Sequence, residues 1–193
     1  MISHASGSPA AQQGRIVNEQ LTDAERLRIL SLHEAGHAVI ARLLGVPVHS
    51  VQSADPNLGA CQVDFDVIAL RQPLTDEPAE KVDEADWTGE TLVRNQLAIR
   101  YAGAAAEEED GSRQEQEQIV VRFAAADVGQ VQIEAEWIAT AAVPAGQIPH
   151  TEQSRARHFV CLAWPAIFRL AEGLRLRGPL AGADVDEVID AEL

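Results

Sequence analysis

Lysine is all but missing from this chain. Lys81 is the only one, and fifteen basic residues face thirty acidic ones. The resulting formal charge of -15 leaves no basic stripe for phosphate contacts, which excludes nucleic acid as a partner, and anionic membrane surfaces would repel the chain. Aromatic residues are scarce at 4%, too few for a sandwich of strands, and the abundance of alanine and leucine points to packed helices. No apolar run approaches the length of a membrane span. The opening segment MISHASGSPAAQQG lacks the basic start and apolar stretch of a signal peptide. The two cysteines, Cys61 and Cys161, belong to no Cys-x-x-Cys pair. They suit buried thiols in a reducing compartment, and a cytoplasmic location is expected.

What is present is a chain of 193 residues, 46% of them hydrophobic, enough for one core. Residues 1 to 20 are small and polar and cannot repay ordering entropy, so they read as a disordered N-terminal arm preceding one domain over residues 21–193. Thr22 and Glu25 fit a capping box. The apolar positions Leu27, Leu30, Ala35, Ala38 and Leu43 then carry an amphipathic helix to Gly45 and Pro47.

The runs VPVHSVQS and GACQVDFDVI, divided by DPNLG, read as two antiparallel strands. Residues 71–88 are acidic and broken by proline, as in an irregular surface loop. Helical periodicity returns over residues 90–109 and 126–143 and, after a turn at Pro144 to Pro149, over residues 154–174, with a kink or break at Pro165. A final helix is expected over residues 182–193. The arginines near the C-terminus (Arg155, Arg157, Arg169, Arg175, Arg177) read as a solvated helix face. His49, His150 and His158 stand alone and read as surface or packing residues, as do Trp87, Trp137 and Trp164 as packing residues. The fold class is mainly α (α+β), with a small antiparallel sheet beside the first helix.

That first helix carries His33-Glu34-Ala35-Gly36-His37. At 3.6 residues per turn the two histidines project from one face and can share a metal ion. Zinc suits them because a catalytic zinc takes three protein ligands and keeps a fourth position for water. Glu34 is placed to take a proton from that water, whose pKa the metal lowers toward about 7. Gly36 removes a side chain where another backbone can approach closely. A third ligand must come from elsewhere, and Glu107, Glu108, Glu109, Asp127, Glu134 and Glu136 are all open on spacing alone.

The run HEAGHAVIARLLGVPVHSV resembles the peptidase domain of the FtsH family of zinc metalloproteases. LGACQVDF sits where that family has its cleft-edge strand, YAGAAAEEEDG is similar to its AGRAAEE segment, and AAADVGQVQIEAEWIA to its helix opening with Asn-Asp. WPAIFRLAEGLRLRGPLAGADVDEVI resembles the family's last helices. The likeness spans roughly residues 22–190 and implies a zincin-like peptidase domain with one Zn2+ per chain.

In that reading His33, His37 and Asp127 hold the metal, Glu34 is the catalytic base, and Glu107 and Glu108 support the site, one of them orienting a histidine. Gly59, Ala60 and Cys61 mark the strand that would bind substrate. The chain departs from the family at Ala104 and Ala126, where Arg and Asn are usual, and in a longer stretch between Glu108 and Asp127. It carries no GxxxxGK[ST] loop and therefore no nucleotide-binding residues. The expected activity is ATP-independent hydrolysis of flexible or unfolded polypeptides. The alternatives are a noncatalytic binding module of the same fold, or a peptidase subunit in a homo-oligomer or dependent on a separate ATPase.

Overall fold

The computed structural model describes residues 21–55, 58–63, 89–114 and 148–193. The expected N-terminal arm, the acidic loop over 71–88, the helix over 126–143, and with them Asp127, Glu134, Glu136, Trp87 and Trp137, lie outside the described residues. Eight elements follow in order: α1 (Asp23–Leu43), β1 (Val48–Asp55), β2 (Leu58–Val63), α2 (Gly89–Arg113), α3 (Ile148–Leu162), α4 (Trp164–Arg177), β3 (Leu180–Ala181) and α5 (Gly182–Asp190). The described chain is thus mainly helical with one small antiparallel sheet, and among these residues no helix is long and apolar enough to cross a membrane.

Helix α1 begins at the expected capping box. The Glu25 amide donates to Thr22 Oγ1 at 3.3 Å and the Thr22 amide to Glu25 Oε2 at 2.8 Å, which satisfies two of the donors a helix start leaves open. It ends in a Schellman turn. Gly45 takes a positive φ of 75°, and the Val46 and Gly45 amides return to the Ala41 and Arg42 carbonyls at 2.9 and 3.1 Å.

One expectation needs correcting here. The sequence reads as a helix with a single apolar stripe, whereas every residue from Ile29 to Ala41 is buried. The reason is that α1 is the central element, packed against α2, α4, β1 and β2. Its polar residues tolerate burial because they find partners inside. Ser31 Oγ donates to the Leu27 carbonyl at 2.7 Å, and with that proton used, Ser53 Oγ on β1 donates to Ser31 Oγ at 2.7 Å.

The sheet order is β2-β1-β3, with both pairings antiparallel. An irregularity between Val48 and Ser50 shifts the alternation, so that Val48 and Val51, three apart, are both buried. The short β3, unforeseen from the sequence, pairs Leu180 with Val51 and Ala181 with Ser50.

Helix α2 runs past the expected end at Glu109 through Asp110 to Arg113, because Asp110 has a fixed partner. Arg28 on α1 grips its carboxylate with both terminal nitrogens at 2.8 Å. Helix α3 starts at Ile148, so Pro149 lies in its first turn, where a missing amide costs nothing, instead of in a preceding turn. Pro165 occupies the first turn of α4, which makes residues 154–174 two helices meeting there. Ala166, Ile167, Leu170, Ala171 and Leu174 then form the buried face of α4 at helical spacing.

The C-terminal arginines are less free than a solvated face implies. Arg155 binds the buried Glu152 and, at 2.7 Å, Asn95 of α2, while Arg157 binds Glu108 of α2 at 2.6 Å. Arg94 reaches Glu152 from the other side at 3.0 Å. These pairs fasten α3 to α2. The expectation of two buried thiols holds for neither in full, since Cys161 is exposed on α3 and Cys61 is partly exposed on β2. His49, His150 and His158 are exposed.

Candidate metal centre

Close packing of α1 on α2 puts the histidine pair against α2. Gly36 makes this approach feasible, for a Cβ on it would stand 2.7 Å from the Ala102 carbonyl oxygen. His33, Glu34, His37 and Glu107 are 3%, 6%, 9% and 5% exposed, so the four form a polar cluster shielded from solvent inside the helical core.

Each imidazole is held by its Nδ1. His37 Nδ1 lies 2.7 Å from the Ile99 carbonyl oxygen, and because a carbonyl only accepts, this nitrogen carries the proton. His33 Nδ1 lies 2.8 Å from Glu107 Oε1 and donates to that carboxylate. A neutral ring with its proton on Nδ1 presents a bare lone pair at Nε2. Here the two Nε2 atoms face each other at 3.0 Å, with the rings nearly perpendicular at 85°. Two nitrogens so placed can share a proton or a metal ion between them.

The pair fits a divalent ion. Zinc binds imidazole nitrogen at about 2.0–2.1 Å, so two such ligands on a tetrahedral ion stand roughly 3.3 Å apart. Opening the observed gap by a few tenths of an ångström would admit one. Carboxylate and carbonyl acceptors behind ligating histidines also fix the tautomer and raise the basicity of the coordinating nitrogen.

The other two α2 carboxylates weighed as third ligands are engaged elsewhere. Glu108 pairs with Arg157 on the surface, and Glu109 receives Arg113 at 2.7 Å. Of the third-ligand candidates, Glu107 therefore stands behind His33, and Glu108 and Glu109 face arginines, while Asp127, Glu134 and Glu136 lie outside the described residues. Among the described residues no three His, Cys, Asp or Glu side chains are grouped to hold a metal ion.

Glu34 points to a different neighbour, the strand β2. Its carboxylate lies against Gly59, and its charge reaches Cys61, two residues along the same strand and hence on the same face. Burial, with the Glu34 charge adding to it, pushes the Cys61 thiol far above its ordinary range and keeps it protonated. Gly59, Ala60 and Cys61 are each partly exposed, and among the described strands β2 forms one edge of the sheet.

Two contacts of this centre carry no sequence signal. The Ile99 carbonyl is a backbone group, and Gly103, whose absent side chain leaves room for the His33 ring, sits unmarked in a run of small residues. Scanned against protein-family models the chain matches none, and no curated protein matches it in sequence.

Proposed function

We propose that the chain is a zinc-dependent metalloendopeptidase of zincin-like fold that hydrolyses peptide bonds in flexible or unfolded polypeptides in the cytoplasm, without ATP of its own. The observation that carries this reading is the facing of His33 Nε2 and His37 Nε2 at 3.0 Å, each ring already anchored through Nδ1. The resemblance to FtsH-type peptidases supplies Asp127 as the third ligand.

Bound zinc would lower the pKa of the attacking water toward about 7 and polarise the scissile carbonyl. His33 and His37 would hold the ion through Nε2, with Glu107 and the Ile99 carbonyl keeping both rings in the ligating tautomer. Glu34 would take a proton from the attacking water and pass it to the departing amine nitrogen. Its burial beside β2 supports this role, because a carboxylate packed between helix and strand keeps a fixed orientation.

Substrate would lie extended along the edge that β2 forms among the described strands, its backbone bonded to the strand and its carbonyl brought past Gly59 toward Glu34. Folded proteins resist such an extended pose, which favours flexible segments. Chelation should abolish cleavage of an unfolded protein, and added zinc should restore it. Cleavage that survives chelation would refute the metal reading, and full activity in Asp127→Ala would remove that residue as the third ligand.

A further inference from the structure

We infer that two glycines on two different elements packed against α1 are positioning residues of this centre, with Gly103 of α2 seating the ring of His33 and Gly59 of β2 seating the carboxylate of Glu34. The inference deepens the proposed metal site and rests on that reading for its catalytic consequence, although the seating itself is a property of the metal-free protein.

A Cβ on Gly103 would stand 2.6 Å from both Cε1 and Nε2 of His33 and 2.7 Å from Nδ1. Near-equal distances to three ring atoms mean that the missing methyl group would press on the ring itself, and that the imidazole occupies the space an ordinary residue would fill. The ring cannot tilt away freely. Its Nδ1 is tied to Glu107, and its Nε2 faces that of His37. A displaced ring must stretch the first contact or break the alignment of the second, and either change weakens a shared ion.

On β2, a Cβ on Gly59 would overlap Glu34 Oε1 and come within 2.8 Å of Glu34 Cγ and Leu30 Cδ1. The atoms in the way belong to side chains, so an added methyl group would be accommodated by moving the carboxylate and the Leu30 methyl, with the backbone left in place. Contrast Gly36, whose hypothetical Cβ meets the backbone carbonyl of Ala102. Gly36 sets the distance between helices, whereas Gly59 and Gly103 set the orientation of two functional side chains. Because they act on different groups, they separate metal binding from proton transfer.

The decisive experiment is a pair of double-mutant cycles read by thermal unfolding of the metal-free protein, Gly103→Ala with His33→Ala, and Gly59→Ala with Glu34→Ala, alongside Co2+ titration of the single glycine variants. Gly103→Ala should lower Tm when His33 is present and, with the clash gone, raise it through helix propensity when His33 is Ala, and should weaken Co2+ binding at least about tenfold, the scale of lost ligand support. Gly59→Ala should lower Tm less in the Glu34→Ala background than in wild type, and should leave Co2+ affinity at the wild-type level. With metal saturating, it should reduce kcat by roughly a hundredfold, as expected for a reacting group displaced by about 1 Å.

Equal Tm losses in both backgrounds of a cycle would overturn the seating of that residue, even where a single variant is too unstable to bind metal. Wild-type protein that takes up no Co2+ would instead refute the proposed function, and the cycles would still judge the two glycines.

Discussion

Nε2 of His33 and Nε2 of His37 stand 3.0 Å apart with both Nδ1 atoms committed to oxygen acceptors, so the nitrogens left for a shared ion are the two that face each other. The arrangement lets the two buried nitrogens share a single cation. Glu107, whose carboxylate polarises the His33 ring from behind, raises the basicity of the nitrogen that faces His37.

Removing that carboxylate while keeping its shape should be felt at the metal. Glu107→Gln is expected to lower zinc affinity by about 10–100-fold, the range for groups that orient ligating histidines. Its neighbour provides the contrast. Glu108→Gln loses only a surface ion pair with Arg157 and should change stability by less than about 1 kcal/mol, with zinc affinity unchanged. Isothermal titration of both variants checks the pair, and equal effects would show that Glu107 has no special role.

Gly36→Ala should destabilise the fold. Alanine improves helix propensity by about 1 kcal/mol, but its methyl group meets the Ala102 carbonyl, which belongs to the backbone of α2 and cannot swing aside. Overpacking of that kind costs about 1–3 kcal/mol, so a net fall in stability is expected. Urea unfolding measures it, and unchanged stability would mean that α1 and α2 have room to separate.

The two cysteines should react very differently with iodoacetamide. Cys161 is exposed and should be alkylated readily in the native protein, whereas Cys61, partly exposed but held protonated by desolvation and by Glu34, should react far more slowly until the chain unfolds. The same shift has a sign in stability. A thiol whose folded pKa is raised contributes stability that is fully present below the unfolded value near 8.5 and is lost as pH rises beyond it, because the unfolded chain then releases a proton that the folded chain keeps. Replacing Cys61 by Ala should therefore flatten the loss of stability above about pH 8.5. Mass spectrometry of alkylated peptides and unfolding curves on the alkaline side check the two halves, and rapid native labelling of Cys61 would contradict both.

How much of this was legible in the sequence varies with how local the cause is. Helix α1, its cap and its stop could be read because Thr22, Glu25 and Gly45 act within one turn of their own positions. The β1 and β2 strands announced themselves by composition. By contrast, β3 is two residues long and exists only because Leu180 and Ala181 meet β1, a long-range event with no local pattern.

Glu107 and Glu108 could not be told apart from sequence. Adjacent residues on a helix point about 100° apart, and which one faces His33 depends on how α2 is rotated against α1. Helix α2 outran its predicted end for a similar reason, since Asp110 is fixed by Arg28, a partner on another helix. Full burial of α1 was also invisible, because its polar residues look solvent-facing until Ser53, Ile99 and Glu107 are placed beside them.

The central claim is that a metal held by His33 and His37 works with Glu34 to cleave peptide bonds. Its most direct test is zinc content together with cleavage of unfolded casein, without ATP, in wild type and in Glu34→Gln. The account predicts one zinc per chain in both proteins and cleavage by wild type alone. Absence of zinc from both, or equal cleavage by Glu34→Gln, would contradict it.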